Sequence, residues 1–218
     1  CYCLQGGIRE SMRRIVVGNR IDRGICGDSA DVVARRLLGH DLVRILDGQR
    51  LVGRIVETEA YVGESDLGAH ASRGRTARTE VMYGPPGYAY VYFIYGMYYC
   101  LNVVAREVGT PHAVLIRAVE PVDGVERMRE NRRSRRTGTF PRDVDLANGP
   151  GKLCVAMQID RSFYGHDLVD GDVLWIESGE WVPDRNVVIG PRIGIAYAKE
   201  WARAPLRFAL RDNLHVSR

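Results

Sequence analysis

The sequence predicts an α+β fold: a single compact domain with a curved, mainly antiparallel sheet, flanking helices and one protruding β-hairpin. Three observations carry that prediction. Asp47-Gly48 lies between two runs of strand-forming residues, the pattern of a tight hairpin turn. A second pair of apolar, Tyr-rich runs is joined through Tyr95-Gly96-Met97. The helix signals are few and short, and they do not alternate with strands in the regular way that a parallel α/β winding needs.

With 218 residues, 45% of them hydrophobic and 27% charged, the chain can bury a substantial core within one domain. Residues 1 to 20 read as a loosely held lead-in and 21 to 218 as the folded domain. Asp28 and Ser29 are N-cap candidates for an amphipathic helix through Leu38, which Gly39 stops. Strands follow at 41 to 46 and 50 to 61, the second carrying Glu57, Glu59 and Tyr61 on one face. The Gly- and Arg-rich stretch from 62 to 87 reads as a loop whose length without structure points to a functional role. Strands at 88 to 94, 98 to 104 and 112 to 119 come next, the last apolar on both faces and hence central. A surface helix from Asp123 has only Val125 and Met128 as apolar anchors. A further helix opens at Asn148-Gly149-Pro150 and turns Leu153, Val155, Ala156 and Ile159 inward. Short strands, including 171 to 177 and 206 to 210, and a brief helix near Trp201 complete the chain.

The register of the Tyr-rich hairpin follows from one constraint. A two-residue Gly96-Met97 turn would put Tyr92 and Asn102 on opposite faces, whereas a three-residue tip pairs 94 with 98, 92 with 100 and 90 with 102. Only the second builds one shared wall. A three-residue or bulged tip is therefore expected, with Tyr95 projecting and Met97 beside it. Large apolar side chains at an exposed tip suit stacking on a base or wedging between base pairs; a Tyr-rich strand packed on its own sheet is the competing reading.

A formal charge of +4 and an isoelectric point near 8.9 tilt the surface towards anionic partners such as nucleic acid. Among the 31 basic residues only Lys152 and Lys199 are lysines, so the basic character is almost wholly that of arginine, which forks onto phosphate and is no amine nucleophile. The five cysteines, Cys1, Cys3, Cys26, Cys100 and Cys154, include no CxxC pair, which argues against a zinc ribbon or a disulfide framework and for a reducing compartment. No histidine spacing suits a metal, and no cofactor is expected. Residues 1 to 8 lack the pattern of a secretory signal. The uncharged stretch 88 to 105 is about as long as a membrane span, but its tyrosines, Gly96 and Asn102 and its alternation mark strands instead.

Glu57 and Glu59 are candidates for a half-buried general base; solvent-facing acids on an exposed strand face are the bland alternative. Arg117 lies in the apolar run His112-Ala113-Val114-Leu115-Ile116-Arg117-Ala118-Val119. A buried arginine needs a partner because desolvating its charge is costly, so a carboxylate is expected beside it, Glu59 or Glu57, unless Arg117 reaches to the rim. Gly149-Pro150-Gly151-Lys152 opens a helix whose free amides attract anions, which makes Gly151 and Lys152 a weak phosphate site. The arginines between 127 and 136 ordinarily make a solvated face or mobile loop, and following a phosphate backbone is the less common use.

Several of these segments, taken together, resemble the alkyladenine, or 3-methyladenine, DNA glycosylase family: Glu57-Thr58-Glu59-Ala60-Tyr61, Ala69-His70, Arg73-Gly74-Arg75-Thr76, Tyr90-Val91-Tyr92-Phe93-Ile94-Tyr95-Gly96-Met97, Asn102, and Leu115-Ile116-Arg117-Ala118-Val119-Glu120-Pro121. The similarity runs from about residue 20 to the end, through Gly149-Pro150-Gly151-Lys152-Leu153-Cys154 and Glu200-Trp201-Ala202-Arg203. Ala77 stands where many bacterial relatives have proline, and the stretch 132 to 136 and the first twenty residues fall outside the pattern. The resemblance implies that Glu59 activates water and that Arg117 holds the arrangement. It implies that Tyr61, His70 and Tyr92 sandwich a flipped purine, that Asn102 sits where the exocyclic amine of guanine is excluded, and that Tyr95 fills the vacated stack.

The expected activity is therefore base-excision repair: hydrolysis of the N-glycosidic bond of damaged purines (3-methyladenine, 7-methylguanine, hypoxanthine, ethenoadenine) in duplex DNA. With so few amines, no lyase step is expected. The expected partner is double-stranded DNA containing damaged purines, with no membrane; the protein is expected to be a monomer, cytoplasmic and nucleoid-associated in a prokaryote or nuclear in a eukaryote. Two rivals remain: a non-catalytic nucleic-acid-binding module of this shape, and a carbohydrate glycosidase using Glu57 and Glu59 as its acid and base.

Overall fold

In the computed structural model, residues 18–217 are described. Residues 1 to 17 of the lead-in lie outside them. Residues 18 to 20 are tied down, for Arg20 bridges Glu177 and the Gly18 N–H donates to the Glu177 carboxylate at 3.1 Å.

Eight strands form one open antiparallel sheet: β1 (Asp41–Leu46), β2 (Gln49–Val62), β3 (Ala89–Ile94), β4 (Tyr98–Ala105), β5 (His112–Asp123), β6 (Leu174–Glu177), β7 (Val187–Gly190) and β8 (Arg207–Leu210). Their order is β3-β4-β5-β2-β1-β6. The long β2 is the spine, paired with β5 along one edge and with β1 and then β8 along the other. Asp47 and Gly48, with φ of 50° and 75°, make the expected turn between β1 and β2. Three α-helices flank the sheet: α1 (Ala30–Leu37), α2 (Val125–Arg132) and α3 (Pro150–Ala156). None is long and apolar enough to cross a membrane. The fold is α+β, as the hairpins and sparse helices predict.

The two sheet faces differ in kind. Val91, Leu101, Val103, Val114, Ile116 and Ala60 point to the main core, which α1 supplies with Val33, Ala34 and Leu37 and α3 with Leu153 and Ala156. The other face carries Tyr90, Val104 and Ala113, on which Ala71, Met82 and Tyr83 pack. Those last three residues belong to the stretch read as a structureless loop. It contains two 3-10 turns, His70–Arg73 and Glu80–Tyr83, which its Gly and Arg content hid.

Other boundaries shift for local reasons. β5 runs on to Asp123, the strands expected at 171 to 177 and 206 to 210 begin at Leu174 and Arg207, β7 was not foreseen, and the segment near Trp201 is a 3-10 turn, Lys199–Arg203. In α3, Val155 is half-buried, while Cys154 and Met157 take the inward places beside Leu153 and Ala156. Neither N-cap candidate of α1 caps through its side chain. Asp28 accepts from Arg36 and the Ser29 hydroxyl donates to Asp31, and the Ala30 N–H donates instead to Nδ1 of buried His112 at 3.2 Å.

Candidate active site

Two bulges build the floor of the site. Ile55 pairs with Val119 and Glu57 with Ala118, leaving Val56 as an extra residue on β2; Thr58 then pairs with Ile116, leaving Arg117 extra on β5. A bulge swaps the parity of a strand and re-aims a side chain. Ile55 and Val119 thereby return to the apolar core, while Arg117 swings beneath Glu57 and Glu59. Beyond the bulges the register runs true across five strands, aligning Tyr90, Asn102, Leu115, Glu59 and Arg207 in one row. Directly paired residues share a face, so this row faces away from the core.

Glu57 and Glu59 are both fully buried, and Arg117 is 8% exposed, which removes the readings of an exposed acid face and of an arginine reaching the rim. Arg117 serves both carboxylates, Nη1 lying 3.2 Å from Glu59 Oε1 and Nε 3.4 Å from Glu57 Oε1. Glu59 also accepts from the Tyr61 hydroxyl at 2.9 Å and the Ile193 N–H at 2.7 Å. Glu57 accepts from Arg207 at 2.9 Å and from the Ser217 N–H at 2.8 Å, and the Arg117 guanidinium also donates to the Ser217 hydroxyl. Both Glu57 oxygens are thus engaged by donors of the protein itself. Burial raises the pKa of Glu59 above the usual carboxylate value, and Arg117, the Ile193 amide and the Tyr61 hydroxyl oppose that rise.

Above this floor opens a cavity of about 470 Å³, within the range of small-molecule sites. Tyr61, His70, Tyr92, Asn102, Arg117 and Tyr95 all line it, together with Gly151 and Lys152. His70 and Tyr92 meet edge to face with centroids 4.5 Å apart, so no ring fits between them and they form a single wall. Tyr61 stands on β2, three strand spacings or about 14 Å from β3. His70 bonds Tyr90 Oη through Nδ1 at 2.8 Å, and burial, aided by Arg78 and Arg73, lowers its pKa to about 4, leaving a neutral ring at pH 7. Asn102 donates to the Tyr90 carbonyl at 3.0 Å. Lys152 donates to Asn148 Oδ1 at 2.7 Å, and Gly151 comes so close to Tyr98 that a Cβ would sit 2.8 Å from its ring.

The hairpin tip has the predicted register, with Ile94 opposite Tyr98, Tyr92 opposite Cys100 and Tyr90 opposite Asn102. Tyr95 and Gly96 take φ of 53° and 67°, and Met97 is the extra residue before pairing resumes. Tyr95 is 78% exposed and Met97 63%. The arginine run near α2 is partly spent on acids, Arg127 pairing with Asp47 and Arg129 with Asp143. Among the described residues no cluster of His, Cys, Asp and Glu suits a metal ion.

A family model described as Methylpurine-DNA glycosylase (MPG) matches residues 25–214. The chain belongs to this family. Relatives include proteins from Desulfitobacterium hafniense (46% identical over 201 residues, 91% of this chain and 98% of the relative) and Myxococcus xanthus (50% over 187 residues, 86% and 88%). A third, from Methanocella arvoryzae, is 50% identical over 186 residues, 85% of this chain and 90% of the relative. All three carry the name "Putative 3-methyladenine DNA glycosylase". The protein is thus a DNA glycosylase, a hydrolase of base-excision repair that binds DNA.

In this glycosylase several residues that sequence reasoning passed over complete the site. Arg207 lies in the apolar run Leu206-Arg207-Phe208-Ala209-Leu210, and the logic used for Arg117 would have found it. Ile193, Ser217, Asp66 and Arg192 carry no such signal, because they reach the site from loops distant in sequence.

Proposed function

We propose that this glycosylase extrudes a damaged purine from duplex DNA into the aromatic cavity and hydrolyses its N-glycosidic bond with water activated by Glu59. The observation that carries this reading is a fully buried Glu59, anchored by Arg117, Tyr61 and the Ile193 amide, behind a cavity that those three residues line together with the exposed Tyr95. The purine lies between Tyr61 and the His70–Tyr92 wall, Asn102 excludes the amine of normal guanine, and Tyr95, with Met97, replaces the base in the stack. Gly151 and Lys152, at the cavity rim, meet a flanking phosphate.

As the bond to the base breaks, positive charge develops on the sugar; the Glu59 carboxylate stabilises it and takes a proton from the attacking water. Hydroxide joins the anomeric carbon and the base leaves with the bonding pair. Alkylated cationic bases depart readily, and neutral ones such as hypoxanthine and ethenoadenine depart after protonation on the ring. Of the two lysines, Lys199 is exposed outside the cavity and Lys152 is engaged by Asn148, which supports base removal without strand cleavage.

The test is release of free hypoxanthine from a duplex oligonucleotide, with enzyme in excess, by the wild type and by Glu59→Gln. Release by the wild type, loss in the variant and retained duplex binding are expected. An abasic product that breaks only on alkaline treatment is the expected sign that no lyase acts. Binding without release by the wild type would return the chain to the non-catalytic reading.

A further inference from the structure

Beneath Tyr61 lies a second ion pair that the proposed chemistry does not use. The side chains of Arg192 and Asp66 are both 0% exposed, and Arg192 Nη2 donates to Asp66 Oδ1 at 2.8 Å. Arg192 also donates to the Ala60 carbonyl at 2.9 Å, and its guanidinium carbon stands 4.7 Å from the centre of the Tyr61 ring. Asp66 accepts from the Val62 N–H at 3.1 Å and the Gly68 N–H at 2.9 Å. Gly68 leaves room for this arrangement, since a Cβ would sit 3.0 Å from Arg192 Nη2 and 3.1 Å from Ile195 and would press on both. The pair therefore ties the end of β2, the loop after it and the 191 to 197 loop into one unit.

Two features connect this unit to the reacting centre. Arg192 immediately precedes Ile193, whose N–H donates to Glu59. It also supports from behind the aromatic wall, Tyr61, whose hydroxyl donates to the same carboxylate. A fully buried ion pair is weak evidence for stability, since apolar residues of equal volume often serve as well. Geometry is what it supplies here.

We infer that Arg192, clamped by Asp66, is a positioning residue that sets both the Tyr61 ring and the Ile193 amide against Glu59. This rests on the reading of Glu59 as the group that activates water. Losing the Ile193 donor removes a bond that favours the ionised carboxylate, so the acid limb of the rate profile should move to higher pH.

The test compares wild type, Arg192→Lys and the double variant Arg192→Met with Asp66→Leu, which replaces the pair by apolar volume and avoids an orphaned charge. Single-turnover hypoxanthine release is measured from pH 5 to 8, with thermal midpoints and affinity for a duplex holding an uncleavable abasic analogue. In the double variant release should fall about 100-fold, the scale of an ångström misplacement. The acid limb should move up, with the fold kept and duplex affinity within about threefold of wild type on the order of a rim change. Arg192→Lys, which keeps charge without the fork, should fall between. A folded double variant with wild-type rate and acid limb overturns the inference, as does a rate loss matched by lost duplex affinity with the limb unmoved. If neither variant folds, the pair is structural and the inference also fails. A wild type that releases no base sinks the Glu59 reading itself, a distinguishable result.

Discussion

The floor of the cavity and the tip of the β3–β4 hairpin obey opposite rules. At the floor, Glu57, Glu59 and Asp66 are interleaved with Arg117, Arg192 and Arg207, and all three acids are completely removed from water. At the tip, Tyr95 and Met97 hold apolar surface out in solvent. Burying ions and exposing hydrophobes are each unfavourable for folding. The comparison teaches that the molecule accepts two unfavourable arrangements in one region, buried charge beneath the cavity and exposed apolar surface at the hairpin tip.

The sharpest way to break the comparison is at the floor. Glu59→Gln should lower single-turnover base release by about 10²–10⁴-fold, the usual worth of a positioned base, with duplex binding kept. Arg117→Met, which takes the cation from buried Glu59 and leaves Glu57 with Arg207 alone, should cost about 3–5 kcal/mol of stability in urea titrations; a variant as stable as wild type would mean that Glu59 finds another partner. At the tip the balance should reverse. Tyr95→Ala should leave stability within about 0.5 kcal/mol, as for surface changes. Its base release from duplex should fall about tenfold, a part of the few kcal/mol that unstacking costs, and release from single strands should not change.

The smallest effect lies in the histidines. Burial lowers the pKa of His112 and His40 below the unfolded value, and His70 falls to about 4. Below about pH 6.5 the unfolded chain binds protons that the native chain refuses, so these groups stabilise fully above that pH and progressively less as pH falls, for His70 down to about 4. Each contributes at most about 1.4 kcal/mol per pH unit. His112→Gln, which can still accept from Ala30, should flatten the fall in urea midpoint between pH 7 and 5; an unchanged slope would exclude His112 from the acid response.

Local chemistry was enough to read the two hairpins of the sheet. Asp47-Gly48 sets its own left-handed turn, and the period-2 pattern of Tyr90, Tyr92, Cys100 and Asn102 admits only one register that puts all four on one wall. The same reasoning reached Glu59, Arg117 and their mutual need, because a charge in an apolar strand demands a partner wherever the strand goes. It placed the N-cap of α1 at Ser29 but could not see that His112, 82 residues beyond Ala30, would take the capping bond.

The sequence by itself determined the two hairpins, the buried central strand and the need of Arg117 for a glutamate, since these depend on near neighbours and on the cost of desolvation. Only the tertiary structure decided that Val56 and Arg117 are bulged and that His70 and Tyr92 share one wall. It alone brought Ile193 and Ser217 from distant loops to the two glutamates, and Arg192 to the Tyr61 ring. Such contacts depend on where whole strands and loops are carried, and no periodicity within a short window encodes that.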